Sequence, residues 1–224
     1  MKIKTDKNVS PVTRNTYRGA LSAFFSFCIT QGYIEKNPIE KIQTSNVTPK
    51  EIEFYKVKEI EKMLNNSKAL SEVRIYLAIA AFAGLRRSEI ERLEYSMIHF
   101  ERRQIILAAK NTKTKQRRAV KINDTLARWL EPYMSLKNDD EKVAGENFRK
   151  SLETFRKTHN IKWINNGLRH SFGTYFFALT ANEFEGSKQM GHSPDVFKKH
   201  YANQIVDETD AEKYFNISPT SPNK

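Results

Sequence analysis

A mainly α fold carrying one small antiparallel β-sheet, an α+β architecture, is the class this sequence predicts. Three observations carry the expectation. Apolar residues recur every three or four positions in one segment after another, the period of helices that bury one face. Two runs, "RQIILAA" (103–109) and "RRAVKI" (117–122), are of strand length instead, and the basic "KNTKTKQ" (110–116) between them reads as a hairpin turn. No tract of about 18 apolar residues exists, so a membrane-spanning helix is not expected.

The elements follow in order. Ser10 as N-cap and Pro11 at the first helical position open a helix. Tyr17, Leu21, Phe24, Phe25 and Cys28 continue it at helical spacing, and Gly32 closes it. "NPIEKI" (37–42) predicts a turn and a short helix, and the polar "QTSNVTPKE" (43–51) a connection. One amphipathic helix cannot bury its own apolar stripe, so residues 1–45 read as a partial helical segment and 46–53 as a linker to a main domain over 54–218. Residues 219–224 read as a flexible tail. Within the main domain Val57, Ile60, Met63 and Leu64 outline one helix, and Val73 to Ala83 form a second, largely buried one. Gly84 breaks it, and "SEIERLEYSMI" (88–98) resumes helical spacing. Beyond the two strands, helices are expected over 123–136, 145–158, 167–180, 181–190, 194–200 and 208–215. "KNDDEK" (137–142) is a solvated loop.

Charge narrows the class of partner. Lys and Arg number 38 against 26 Asp and Glu, a formal net charge of +12. A surplus of that size points to a polyanion, and without a membrane segment nucleic acid is the expected one. Cys28 is the lone cysteine, which excludes a disulfide framework and a thiolate metal site. The opening "MKIKTDKNVS" has no apolar core of a signal peptide, so a cytoplasmic, nucleoid-associated protein is expected.

Three short stretches put charge where chemistry needs it. "GLRRSEI" (84–90) sets Arg86 beside a helix start, and "NNGLRHSF" (165–172) does the same with Arg169. Free N–H groups at helix starts, joined by planar guanidinium donors, suit an anion. Taken singly, each arginine reads as an ordinary ion pair with a nearby glutamate; the repetition shifts that reading. "KNTKTKQRR" places Lys110, Lys113, Lys115, Arg117 and Arg118 about the hairpin, as a solvated turn or as one entering a nucleic-acid groove. "QMGHSPDVFKKHY" (189–201) sets His192 nine positions before Tyr201, with Lys198, Lys199 and His200 just ahead of the tyrosine.

Together these stretches resemble the tyrosine recombinases, the phage-integrase family of site-specific recombinases. The resemblance runs in order through "AGLRRSEIERLEYSMIHFERRQIIL", "TKTKQRRAVKI", "GLRHSFGTY" and "GHSPDVFKKHY", with Arg169 and His192 spaced by 23 positions and His192 and Tyr201 by nine. It implies the catalytic-domain fold of that family and, by position, its active site. Arg86 and Arg169 take the places of the two arginines that clamp the scissile phosphate, His192 that of the second histidine, and Tyr201 that of the nucleophile. Lys113 best matches the hairpin lysine that acts as general acid, with Lys110 and Lys115 as alternatives. Glu89 and His170 fall at supporting positions. Lys110, Lys115, Arg117, Arg118, Lys198 and Lys199 are expected to bind DNA. The first histidine of the family's His-x-x-Arg motif is Asn166 here, a departure; asparagine there is expected to cap the helix bearing Arg169 and to donate to the phosphate.

The resemblance implies attack of Tyr201 on a phosphodiester of double-stranded DNA, a phosphotyrosyl link, and a 5′-hydroxyl that leaves. No metal or cofactor is implied, because arginines supply the positive charge. It also implies a homo-oligomer, a tetrameric synapse on DNA. Residues 10–43 match only the last portion of the family's DNA-clamping domain. Nine residues of unbroken helix span roughly 13 Å, so the helix after Ser193-Pro194 is expected to bend or stop before Tyr201. The basic residues beside the tyrosine are expected to favour its anion. Rival readings are a type IB topoisomerase-like strand transferase and a DNA-binding remnant that no longer cuts. A metal-dependent nuclease is remote, since Asp139, Asp140 and Glu141 have no histidine partners in sequence.

Overall fold

The structure, a computed structural model, describes residues 9–48, 51–66, 69–109, 117–134 and 138–220. The chain divides into two compact units, Met1–Glu51 and Ile52–Lys224. In the first, helix α1 spans Pro11–Thr30, with Ser10 Oγ accepting from the Thr13 amide at 3.2 Å. Gln31 caps its C-terminus, and Gly32 follows with a left-handed φ of 72°. Only Cys28 of the helix is buried, while Phe24 and Phe27 stay more than half exposed. The return segment is therefore held chiefly by polar clamps. Asn15 exchanges hydrogen bonds with the Ser45 backbone at 2.9 and 2.8 Å, and Asn37 Nδ2 donates to the Ser22 carbonyl at 3.1 Å. Around Ile39 the chain makes turns and no helix, since four or five residues interrupted by Pro38 are too few to repay helix nucleation.

The second unit holds the core. Helices α2 (Val57–Leu64) and α3 (Ser71–Phe82) come first, and α3 is buried on every side from Val73 to Phe82 apart from Arg74. That is why its sequence reads as continuous apolar residues instead of a stripe. It packs against α5 (Asp124–Met134), α6 (Phe148–Thr158) and α7 (Gly167–Thr180). Each fully buried Ile, Leu or Phe on it contributes roughly 1.5–3 kcal/mol of transfer free energy. Only one turn of helix, α4 (Arg87–Ile90), follows Gly84, and a 3-10 turn at Tyr95–Met97 leads into the sheet. The longer helix expected over 88–98 does not form. Val143 N donates to the Leu93 carbonyl at 2.9 Å and Glu94 pairs with Lys142, so this stretch bonds to a neighbouring segment instead.

Strands β1 (Ile98–His99), β2 (Gln104–Leu107) and β3 (Arg118–Lys121) form an antiparallel sheet in that order. Ile105 faces Val120, both fully buried, while Gln104 and Lys121 point outward, the period-two alternation of a half-buried sheet. The hairpin turn at 110–116 lies outside the described residues. The outer edge of β3 is closed by Gln189, whose side chain accepts from the Lys121 amide and donates to its carbonyl, both at 2.9 Å. Gln189 belongs to α8 (Glu183–Met190), which is followed by α9 (Pro194–Tyr201) and α10 (Glu208–Phe215). Phe172, Met190, Phe197 and Tyr201 make a second, smaller apolar cluster where α7, α8 and α9 meet. Among the described residues no helix is long and apolar enough to cross a membrane.

Candidate active site

The C-terminal end of α8 is where the charged residues gather. Gly191 takes a left-handed φ of 67° there, and the chain then turns through His192 to Ser193, whose Oγ caps α9. Three consecutive residues at this turn hold the two arginines. Arg169, only 5% exposed, donates through Nη2 to the Met190 carbonyl at 2.8 Å and contacts His192 Nε2 at 2.7 Å. Its Nη1 donates to the Gly84 carbonyl. Arg86 Nη2 donates to the Gly191 carbonyl at 2.8 Å. The negative end of the α8 dipole favours cations at this place.

Glu89 joins a third arginine to the pair. Its carboxylate, 1% exposed, accepts from Arg118 in a two-pronged contact, Nη1 to Oε1 and Nη2 to Oε2, both at 2.9 Å. It also accepts from Arg86 Nη1 at 3.1 Å and from the Arg86 amide at 2.9 Å. Burial pushes its pKa up, but the Arg118 hydrogen bonds and charge, with the Arg86 amide and charge, hold the carboxyl below its usual range. Arg118 lies against Gly191: a Cβ on that glycine would sit 2.8 Å from Nη1. A side chain at position 191 would thus meet both an unfavourable φ and a fixed guanidinium.

Arg118 was expected among the groove-facing side chains of the hairpin, and its position differs. Its guanidinium is committed to Glu89 and its side chain is 10% exposed. The sign was present in β3, because Arg118 and Val120 are two apart and share a face, whereas Arg117 falls outside the strand and is exposed.

Tyr201 ends α9. The helix neither bends nor stops before it, contrary to expectation. His192 precedes the cap and Tyr201 leans back toward the helix start, as helical side chains do. Their rings come to 6.3 Å at 16°, close to parallel. The phenol is 1% exposed and its oxygen lies 3.1 Å from His170 Nδ1. Burial pushes its pKa up to about 12, and only Arg169 and Arg86 pull the other way. The neighbouring basic residues do not favour the anion as expected. Lys198 and Lys199 are exposed, and Lys198 Nζ lies 3.8 Å from Glu183. Lys199, two positions before the tyrosine, lies on the opposite side of the helix, and the residue one turn back that shares the buried face with Tyr201 is Phe197.

Both imidazoles of the site are neutral at ordinary pH. Burial, then Arg169 and Arg86, lower His192 to about 3; burial, then Arg169 and His200, lower His170 to about 4. Arg169 can only donate, so His192 Nε2 accepts and the ring proton sits on Nδ1, a buried atom with no partner among the described residues. Burial and Arg86 bring Arg169 itself down to about 9, which leaves it charged at neutral pH.

Asn166 stands apart from this cluster. It precedes α7 with φ 56° and ψ 12°, is exposed, and its side chain makes no cap hydrogen bond, so the expected capping role fails. The left-handed backbone explains this, since a capping side chain needs an extended one. Lys110, Lys113 and Lys115 lie outside the described residues. Among the described residues no three His, Cys, Asp or Glu converge as metal ligands.

Residues 52–207 match the phage integrase family model. The chain belongs to the phage integrase family. Over 205 residues it is 22% identical to a tyrosine recombinase XerC of Salmonella typhi, covering 84% of this chain and 67% of that protein. A tyrosine recombinase of Pseudothermotoga lettingae is 25% identical over 203 residues, 86% of this chain and 70% of the relative. The fold is similar to a lambda integrase dimer bound to a COC′ core site, with a TM-score of 0.66 at 12% identity, covering 92% of this chain and 63% of that one. It is similar too to the Tn1549 transposon integrase in complex with a circular intermediate DNA, with a TM-score of 0.66 at 20% identity, over 93% and 80% of the two chains. Site-specific DNA recombination is the function this family membership supports, ahead of strand relaxation or a non-cutting remnant.

Proposed function

We propose that the chain cuts and rejoins double-stranded DNA with Tyr201 as nucleophile. The observation that supports this most is the convergence of Arg86, Arg169, His192 and Tyr201 on the turn between α8 and α9. A phosphodiester seated on the two guanidiniums has its non-bridging oxygens matched by fixed donors, which gain strength as charge develops in the transition state. The Nδ1–H of His192, without a partner among the described residues, is a further donor for such an oxygen. Tyr201 Oη bonds to phosphorus while the P–O5′ bond breaks, leaving a 3′-phosphotyrosyl link and a 5′-hydroxyl. Lys113 protonates the leaving oxygen in this scheme. Reversal with another strand's 5′-hydroxyl joins new partners without loss of the ester bond. The arginines take the role a metal would have, so the reaction proceeds without one. Asn166, exposed ahead of α7, donates to the backbone of the bound strand, and Lys198, Lys199 and Arg117 make sequence-independent phosphate contacts. A tetramer on paired DNA sites completes the exchange.

The test uses a pool of end-labelled, nicked duplexes of randomised sequence, incubated with the protein in chelator and resolved on a denaturing gel. A covalent adduct with wild type, and none with Tyr201→Phe while retained DNA still binds, is expected. An adduct that survives the phenylalanine substitution, or that requires a divalent cation, overturns the scheme.

A further inference from the structure

The phenolic proton of Tyr201 needs a destination, and the position that holds a histidine in related recombinases carries Asn166, whose amide cannot accept one. We infer that His170 is the base that takes this proton as Tyr201 attacks phosphorus. The inference rests on the assignment of Tyr201 as nucleophile.

Geometry carries it. His170 and Gly173 are three apart on α7 and so share a face. The Tyr201 ring lies directly on Gly173, where an added Cβ would come within 2.5 Å of Cζ, the atom that bears the hydroxyl. The ring has one seat, and in it the hydroxyl meets His170 Nδ1 at 3.1 Å. The direction of that bond follows from the hydrogen inventory. A phenol that is 1% exposed must place its proton on some acceptor, and Nδ1 is the partner it has among the described residues. The phenol therefore donates, Nδ1 accepts, and the neutral imidazole carries its own hydrogen on Nε2.

The other bases near Tyr201 are occupied or misplaced. His192 uses its lone pair on Arg169. Glu89 is held by Arg118 and Arg86. His200 has its ring 6.0 Å from the tyrosine ring, and its Nδ1 is buried with no hydrogen-bond partner among the described residues, the phenol included. In the attack, the Oη–P bond forms as the O–H bond passes to Nδ1, giving an imidazolium; the P–O5′ bond breaks and that oxygen is protonated from the hairpin. Strand rejoining returns the proton from His170 to Oη.

The charges around His170 make this base conditional. Burial first, then Arg169 on its own helix and His200 on α9, depress its basicity. A phosphodiester anion placed against Arg169 offsets that charge, so the imidazole becomes a better base when DNA is bound than when it is not.

The experiment measures single-turnover cleavage of the nicked duplex by wild type and His170→Gln, each with tyrosine or with 3,5-difluorotyrosine at position 201. Glutamine can still accept a hydrogen bond from the phenol but cannot carry its proton. With tyrosine, His170→Gln is expected to slow cleavage by roughly 10²–10⁴-fold with DNA binding intact. With the more acidic fluorinated phenol, which gives up its proton more readily and so depends less on a base, most of that loss is expected to vanish. His170→Ala is the second variant, and added imidazole is expected to raise its rate. A His170→Gln enzyme as fast as wild type, or a defect equally large with either phenol, leaves His170 a positioning residue and overturns the inference alone. Absence of any adduct in wild type overturns it together with the nucleophile assignment.

Discussion

Glu89 pairs with two arginines at once and is almost completely buried while doing so. Removing its charge leaves Arg118, at 10% exposure, and Arg86, at 20%, facing each other and Arg169 without a counter-ion. Breaking a buried pair from one side costs about 3–5 kcal/mol, more than the pair itself contributes. Glu89→Gln is therefore expected to lower the unfolding free energy by an amount in that range, seen as a fall in the urea midpoint, and to weaken cleavage. Equilibrium unfolding with an unchanged m-value checks the first part; a midpoint within error of wild type contradicts it. Asn166 makes an opposite case. At φ 56° an alanine costs roughly 1–2 kcal/mol whereas glycine does not. Asn166→Ala is expected to be less stable than Asn166→Gly, and Asn166→Gly at least as stable as wild type; a glycine variant clearly less stable than wild type would mean that the asparagine side chain contributes a bond after all. The motif residues were legible from the sequence because their spacing is local. The Asn166 conformation was not, since a left-handed residue ahead of a helix looks the same in sequence as a capping one.

At the scale of elements, helix positions emerged from apolar periodicity with ends close to those observed, from α1 through α10. Failures fell where tertiary bonds replace local ones: residues 88–98 pair with a neighbouring segment, and β1 is two residues long. Contacts between elements were beyond the sequence, and the seat of Tyr201 on α7 is one of them. Gly173 allows α9 to approach α7 because a Cβ there would overlap three atoms of the tyrosine ring within 2.7 Å. Gly173→Ala raises helix propensity and is nevertheless expected to displace the Tyr201 ring. Its expected outcome is overpacking worth about 1–3 kcal/mol and a large fall in adduct formation. Alanine tolerated with full cleavage would show that the ring has another seat.

Over the whole molecule, a net charge of +12 and two half-buried neutral histidines set how stability depends on pH. His170 is lowered to about 4 and His192 to about 3, while an unfolded histidine titrates at 6.5. As pH falls below 6.5 the unfolded chain binds protons that the folded chain refuses, so the equilibrium shifts toward unfolding. Glu89, depressed in the fold, adds to this only at more acid pH, as protons reach its carboxyl. Discounted for the partial exposure of both rings, the histidines together cost about 1–2 kcal/mol by about pH 5. For a domain of this size that is a fall in Tm of about 2–8 °C. General repulsion among the surplus cations acts in the same direction but is screened by salt. The two causes separate in one experiment, thermal melting from about pH 7.5 to about pH 5 at low and high salt. The histidine part is expected to persist in high salt and to shrink in the double variant His170→Gln, His192→Gln. A nucleic-acid duplex bound at the arginines is expected to reduce it as well, because the phosphate charge removes the main electrostatic reason for keeping the rings neutral. A Tm that stays level across this range at high salt would mean that the imidazoles are free to take up protons in the fold, and the buried, arginine-facing placement of both rings would have to be abandoned.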